Sequence, residues 1–125
     1  MIKQIKSSEI KNFLNDNKNT ELLDVRTQDG WDNVGRPDGE NIGLKTHFIT
    51  IVRSPDPASN KEFIEEVIKV INPNKDLLIM CKAGGRSMMA SQLLSQEKIN
   101  CINISDGFEG NGKDPGWKNE GLPSK

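Results

Sequence analysis

The chain has 125 residues, of which 28% are charged and 34% hydrophobic, with a formal net charge of −1. That length suits one domain with a real core, and the near-neutral balance argues against a broad basic footprint for nucleic acid. The opening Met1-Ile2-Lys3-Gln4-Ile5-Lys6 has no long apolar run, which argues against a signal peptide or membrane span; two cysteines without a C-x-x-C pair argue against a disulfide scaffold or structural zinc and point to a reducing, cytoplasmic setting.

Residues 1–125 read as a single domain with no internal repeat. Ile2 to Ile5 suits a short strand. Ser7-Ser8-Glu9 suits a helix start, with Ser7 or Ser8 as N-cap, and Ile10, Phe13 and Leu14 form its apolar stripe up to Asn15–Asn19. Glu21-Leu22-Leu23-Asp24-Val25 is a second strand, followed at once by Arg26, so the first quarter reads as a βαβ unit. Residues 26–60 are broken by Gly30, Gly35, Pro37, Gly39, Gly43, Pro55 and Pro57, with Trp31 as an anchor and a short strand expected over His47–Val52. Asn60 to Ile71 predicts a helix whose apolar face is Phe63, Ile64, Val67, Ile68 and Ile71; Pro73 and Asn74 end it.

The stretch Leu77-Leu78-Ile79-Met80-Cys81-Lys82-Ala83-Gly84-Gly85-Arg86-Ser87 then reads as a buried strand, a tight loop and a helix start. The strand is apolar without alternation, as expected when both faces are covered. The helix, Ser87 to Gln96, presents Met88, Met89, Leu93 and Leu94, with Met88 and Met89 read as core. Ile99 to Ile104 is an alternating strand. The glycine-rich tail from Ser105 has Phe108 and Trp117 as packing anchors. Helices alternating with strands predict an α/β fold around a mostly parallel sheet. The reactive crevice of such a sheet lies at the carboxyl ends of its strands, where Cys81 and Arg26 both fall.

The loop is the part that carries chemistry. Adjacent glycines let backbone N–H groups turn inward, and a helix N-terminus adds positive potential, so loop and helix start form an anion cradle around a sulfur. That field favours thiolate over thiol and makes Cys81 a nucleophile near neutral pH. Arg86 can hold an oxyanion with two hydrogen bonds, and Lys82 adds a second cation. Ser87 serves as an N-cap or bonds the sulfur. Asp24 and Arg26 read as an ion pair that props the loop. Cys101 lies within an apolar strand and reads as structural; His47, the only histidine, has no partner motif and is assigned no role.

These residues resemble the rhodanese-like sulfurtransferase domains. The resemblance rests on Leu22-Leu23-Asp24-Val25-Arg26 and on Cys81-Lys82-Ala83-Gly84-Gly85-Arg86-Ser87. It is supported by Gly39-Glu40-Asn41-Ile42, similar to the family's G-A-x-N-I segment, and by Gly116-Trp117-Lys118 with Gly121-Leu122-Pro123, similar to the ending of many single-domain members. Three departures stand out. Gly35-Arg36-Pro37-Asp38-Gly39 replaces the usual G-H-x-P-G, Lys82 stands where arginine is common, and the segment from Leu44 to Asn60 is longer than in the smallest members.

The resemblance implies a three-layer α/β/α rhodanese-like fold and a persulfide-forming cysteine at Cys81, with backbone N–H groups from Lys82 to Arg86 stabilising the persulfide. The expected partners are a small sulfur donor such as thiosulfate and an acceptor that is a thiol, cyanide or a protein; no cofactor, metal, nucleic acid or membrane is expected. Arginine follows the cysteine by five positions, one fewer than in the C-x-x-x-x-x-R loop of tyrosine phosphatases, which argues against phosphatase or arsenate reductase action. A non-catalytic binding or oxidant-sensing module is the other alternative, and the intact cysteine loop argues against it.

Overall fold

Five short segments pair side by side, the apolar runs DLLIM and CINI at the centre, and leave both faces to be covered by helices. In the computed structural model, which describes residues 1–56 and 58–125, these are β1 (Lys3–Ile5), β2 (Thr20–Asp24), β3 (Lys45–Phe48), β4 (Asp76–Met80) and β5 (Cys101–Ile104). All pair in parallel in the order β1-β5-β4-β2-β3. Pro57, one of the expected breaks, lies outside the described residues. The helices are α1 (Ile10–Asp16), α2 (Gln28–Asn33), α3 (Ala58–Val70) and α4 (Gly85–Ser95).

Alternate residues of the central strands point to opposite faces and feed two cores. Leu23, Leu77, Ile79 and Cys81 pack with Phe63 and Val67 of α3 and Ala90 and Leu94 of α4. Leu22, Leu78, Met80 and Ile102 pack with Ile10 of α1 and with Phe108, Trp117 and Leu122 of the tail. The result is an α/β/α sandwich. After β2 the chain runs outward to β3, and after β4 it runs the other way to β5. The crevice of an open parallel sheet forms at such a reversal, here at the carboxyl ends of β2 and β4.

Several local expectations change. Neither Ser7 nor Ser8 caps α1. A 3₁₀ turn over Ser7–Glu9 precedes it, closed by the Lys6 N–H donating to Glu9 Oε1 at 2.8 Å, while Ser7 is drawn into a buried bond elsewhere. The third strand ends at Phe48 rather than running His47–Val52. Residues beyond it still follow β2, with the Ile49 and Ile51 N–H groups donating to the Asp24 and Val25 carbonyls at 3.1 and 3.2 Å. Helix α3 spans 58–70 rather than 60–71, and Ile68 is exposed, so its core stripe narrows to Phe63, Val67 and Ile71, with Ile64 packed beside it. Helix α4 starts at Gly85 rather than Ser87. It buries Ser87, Ala90, Ser91 and Leu94, while Met89 is 45% exposed and Met88 half-buried. That stripe has i, i+3, i+4, i+7 spacing, but its small side chains let α4 sit close to the sheet and turn the methionines outward. Strand β5 does not alternate in exposure; all four residues are buried because it is a central strand.

Candidate active site

The end of β4 is fixed on both sides. The Met80 carbonyl accepts from the Val25 N–H at 2.9 Å, and the carbonyls of Cys81 and Lys82 accept from the N–H groups of Phe108 and Glu109 at 2.8 and 3.0 Å. This second contact needs a glycine: Gly107 has φ +60°, and a Cβ there would stand 2.4 Å from the Lys82 carbonyl oxygen. Asp106 anchors the same segment. Its buried carboxylate accepts the N–H and hydroxyl of Ser7, both at 2.9 Å, and the Gly116 N–H at 2.9 Å.

Having been pinned, the chain turns sharply into α4. Gly84 has φ +105° and packs so closely on β5's exit that a Cβ would stand 2.3 Å from the Ser105 carbonyl oxygen. The turn aims the Gly84 N–H at Cys81 Sγ, 3.1 Å away, and the first turn of α4 brings Ser87 Oγ to 3.3 Å from the same sulfur. Cys81 itself is buried. Burial pushes its thiol up, but the Ser87 hydroxyl and the backbone N–H groups of Ser87, Gly84 and Ala83 stabilise the anion, and the balance falls below the ordinary cysteine value. Cys101 has burial without donors and is pushed up to about 12. Cys81 therefore gives up its proton more readily than Cys101.

The structure brings Cys81, Ala83, Gly84 and Ser87 together around the sulfur. Lys82 points to solvent and Arg86 is half-buried; neither side chain has a hydrogen-bond or ion-pair partner among the described residues. Arg86 instead lines a groove of about 370 Å³ with Ile51, Arg53, Ser59 and Met89. Asp24 and Arg26 form the expected ion pair. Arg26 Nε lies 3.1 and 3.0 Å from the two carboxylate oxygens, and Nη2 lies 2.9 Å from Asp24 Oδ2 and 2.8 Å from the Gly35 carbonyl. Both residues are buried, with the guanidinium 4.2 Å over the ring of Phe108, whose N–H holds the Cys81 carbonyl. The pair thus touches the cysteine loop through one aromatic residue. His47 stands opposite Leu23 on the edge strand β3, and its Nε2 bonds Glu21 Oε1 at 2.8 Å, so its side chain reaches back along β2, away from the crevice.

Three residues at the site were not singled out from the sequence: Asn103, Asp106 and Gly107. Asn103 carries a signal, a polar side chain inside a strand otherwise built of apolar residues. Among the described residues no three His, Cys, Asp or Glu side chains stand together as a metal site would require, and no helix is long and apolar enough to cross a membrane. Chemically, the arrangement can hold a sulfur anion and present it to an incoming electrophile.

Residues 7–113 match the rhodanese-like domain family. The chain is 38% identical over 126 residues to the uncharacterized protein RP600 of Rickettsia prowazekii, covering 98% of this chain and 97% of that one. It is 29% identical over 89 residues to thiosulfate sulfurtransferase 18 of Arabidopsis thaliana, covering 70% of this chain and 63% of that one. The crystal structure of Rv0390 from M. tuberculosis superposes with a TM-score of 0.80 at 28% identity, over 98% of this chain and 96% of the other.

Proposed function

The chain belongs to the rhodanese-like domain family, and on that premise we propose that it is a sulfurtransferase carrying sulfane sulfur on Cys81. The observation that carries this reading is the pair of donors on one buried sulfur, Gly84 N–H at 3.1 Å and Ser87 Oγ at 3.3 Å. The Cys81 thiolate attacks the outer sulfur of thiosulfate or a similar donor. A bond forms from Sγ to that sulfur, the donor's S–S bond breaks, and sulfite leaves with the electron pair. The terminal sulfur of the persulfide is anionic and sits among the backbone N–H groups of the loop, while Lys82 and Arg86 draw in the anionic donor. A thiolate, cyanide or a protein thiol then attacks the terminal sulfur, and Cys81 leaves as thiolate. The cycle is ping-pong and needs no general base once the thiol is ionised. Asp24 and Arg26 act through Phe108 to keep the loop in place. The similarity to a protein named thiosulfate sulfurtransferase supports the donor class, and a reducing cytoplasm suits a free thiol.

Thiosulfate:cyanide turnover by the natural chain and by Cys81→Ser tests the reading. Activity in the natural chain and none above background in a folded Cys81→Ser variant is the expected result. Turnover that survives loss of the Cys81 sulfur would remove Cys81 from the mechanism, and absence of turnover and of any sulfur loading in the natural chain would favour a non-catalytic module.

A further inference from the structure

Asn103 is buried in the middle of β5, and all of its side-chain contacts lead toward the cysteine loop or hold it there. Its Nδ2 donates to the Gly84 carbonyl at 3.2 Å and to Gln4 Oε1 at 3.1 Å, and its Oδ1 lies 2.5 Å from Ser87 Oγ. The Gly84 carbonyl can only accept, so the amide nitrogen must face it and the amide oxygen must face the serine.

Ser87 Oγ therefore has three acceptors in reach: Asn103 Oδ1 at 2.5 Å, the Gly84 carbonyl at 3.2 Å and Cys81 Sγ at 3.3 Å. A hydroxyl has one proton. The shortest contact places it on the Asn103 side when the sulfur is neutral, and the serine oxygen then faces the sulfur as an acceptor for the thiol's S–H. A thiolate reverses this. It has no proton to offer, and hydrogen bonds to charged acceptors are roughly twice as strong as neutral ones.

We propose that Asn103 is a positioning residue for sulfur transfer at Cys81: its amide oxygen holds the Ser87 hydroxyl proton while the sulfur is a thiol or carries a second sulfur, and yields that proton's hydrogen bond to the sulfur when the thiolate forms. The step balances without an added reactant. The Cys81 proton leaves to water, and the Ser87 proton stays bonded to Oγ and only changes acceptor. When Sγ becomes the uncharged bridging sulfur of a persulfide, it is a weak acceptor and the hydroxyl turns back to Asn103. The loaded half of this cycle rests on the sulfurtransferase reading; the thiol–thiolate half rests on the geometry alone.

The test is the pH dependence of Cys81 alkylation by iodoacetamide on the full chain, read by intact mass, with no sulfur donor present. Asn103→Leu keeps the volume but removes the nearest competing acceptor, leaving the Gly84 carbonyl at 3.2 Å beside the sulfur at 3.3 Å, so the midpoint falls by about one unit, as expected for one hydrogen bond shifted toward the charged form. In a Ser87→Ala background the same substitution leaves the midpoint unmoved, because no hydroxyl proton remains to redirect. Asn103→Asp keeps an acceptor and adds negative charge, so the midpoint rises. The other charged groups at this end of the sheet, Lys82 and Arg86 of the loop, the Asp24–Arg26 pair and Asp106, are unaltered in all three variants. A midpoint that stays or rises in Asn103→Leu, or that shifts equally without the Ser87 hydroxyl, overturns the proposal. Should Asn103→Leu fail to fold, Asn103→Asp decides alone, and a midpoint at or below the natural one overturns it. Shifted midpoints in a chain that loads no sulfur would instead sink the functional reading and leave this one standing.

Discussion

Gly84→Ala and Gly85→Ala look alike in sequence and should behave very differently. A Cβ on Gly84 would stand 2.3 Å from the Ser105 carbonyl oxygen and 3.0 Å from its carbon, and the residue has φ +105°. The obstacle is backbone at the end of β5, so no side-chain rotation relieves it. The loop must move off β5, and the Gly84 N–H that lies 3.1 Å from Cys81 Sγ moves with it. A hydrogen bond to a charged group is worth about 1.5–3 kcal/mol, and 1.4 kcal/mol is about tenfold in rate. Thiosulfate:cyanide turnover should therefore fall roughly 10- to 100-fold in Gly84→Ala, with a further cost of about 1–3 kcal/mol in stability from the strained backbone. A Cβ on Gly85 meets nothing within 4 Å, and Gly85 is the first residue of α4, where alanine is favourable. Gly85→Ala should keep turnover and melt at or above the natural temperature. Steady-state turnover and thermal melts on the two variants decide the matter. Equal losses in both, or none in Gly84→Ala, would show that the Gly84 N–H is not what holds the sulfur.

Four other variants probe the rest of the protein. One glycine inserted between Gly84 and Gly85 gives the phosphatase loop length, and sulfur transfer should drop at least tenfold as the N–H groups retreat from the sulfur; aryl-phosphate hydrolysis assayed beside it should be absent in the natural chain. Cys101→Ser should leave turnover intact and cost at most about 1–3 kcal/mol for a buried hydroxyl, measured by urea unfolding; because Cys101 is pushed up to about 12, alkylation near neutral pH should mark one cysteine, not two. Arg26→Leu strands the buried Asp24 carboxylate and should cost about 3–5 kcal/mol, while Asp24→Leu combined with Arg26→Leu should recover part of that loss in the same unfolding assay.

Much of the fold was legible because burial on both faces leaves a plain mark: β4 and the 22–25 stretch of the second strand are nearly unbroken apolar runs. The cysteine loop was legible because two glycines, a cysteine and an arginine in that spacing serve few other geometries. The buried face of α4 was not, since Ser87, Ala90 and Ser91 pack by being small, and a count of apolar residues points to Met88 and Met89 instead. The expected third strand sits too late because the edge position leaves Lys45 exposed and Thr46 and His47 only partly covered, so the apolar signal falls on Ile51, which is core, and Ile49, which packs against it, neither being strand. Asp106 reaches Ser7, 99 positions away, and Gly107 packs on Lys82 of the cysteine loop. Nothing local in the sequence points to such long-range partners.

The central claim is that Cys81 carries transferable sulfur, and the intact mass of the chain after exposure to thiosulfate tests it most directly. The account predicts a gain of about 32 Da, one sulfur as a persulfide, located on the peptide containing Cys81, lost again on adding cyanide and absent in Cys81→Ser. An unchanged mass, or a sulfur found on Cys101 instead, would contradict it.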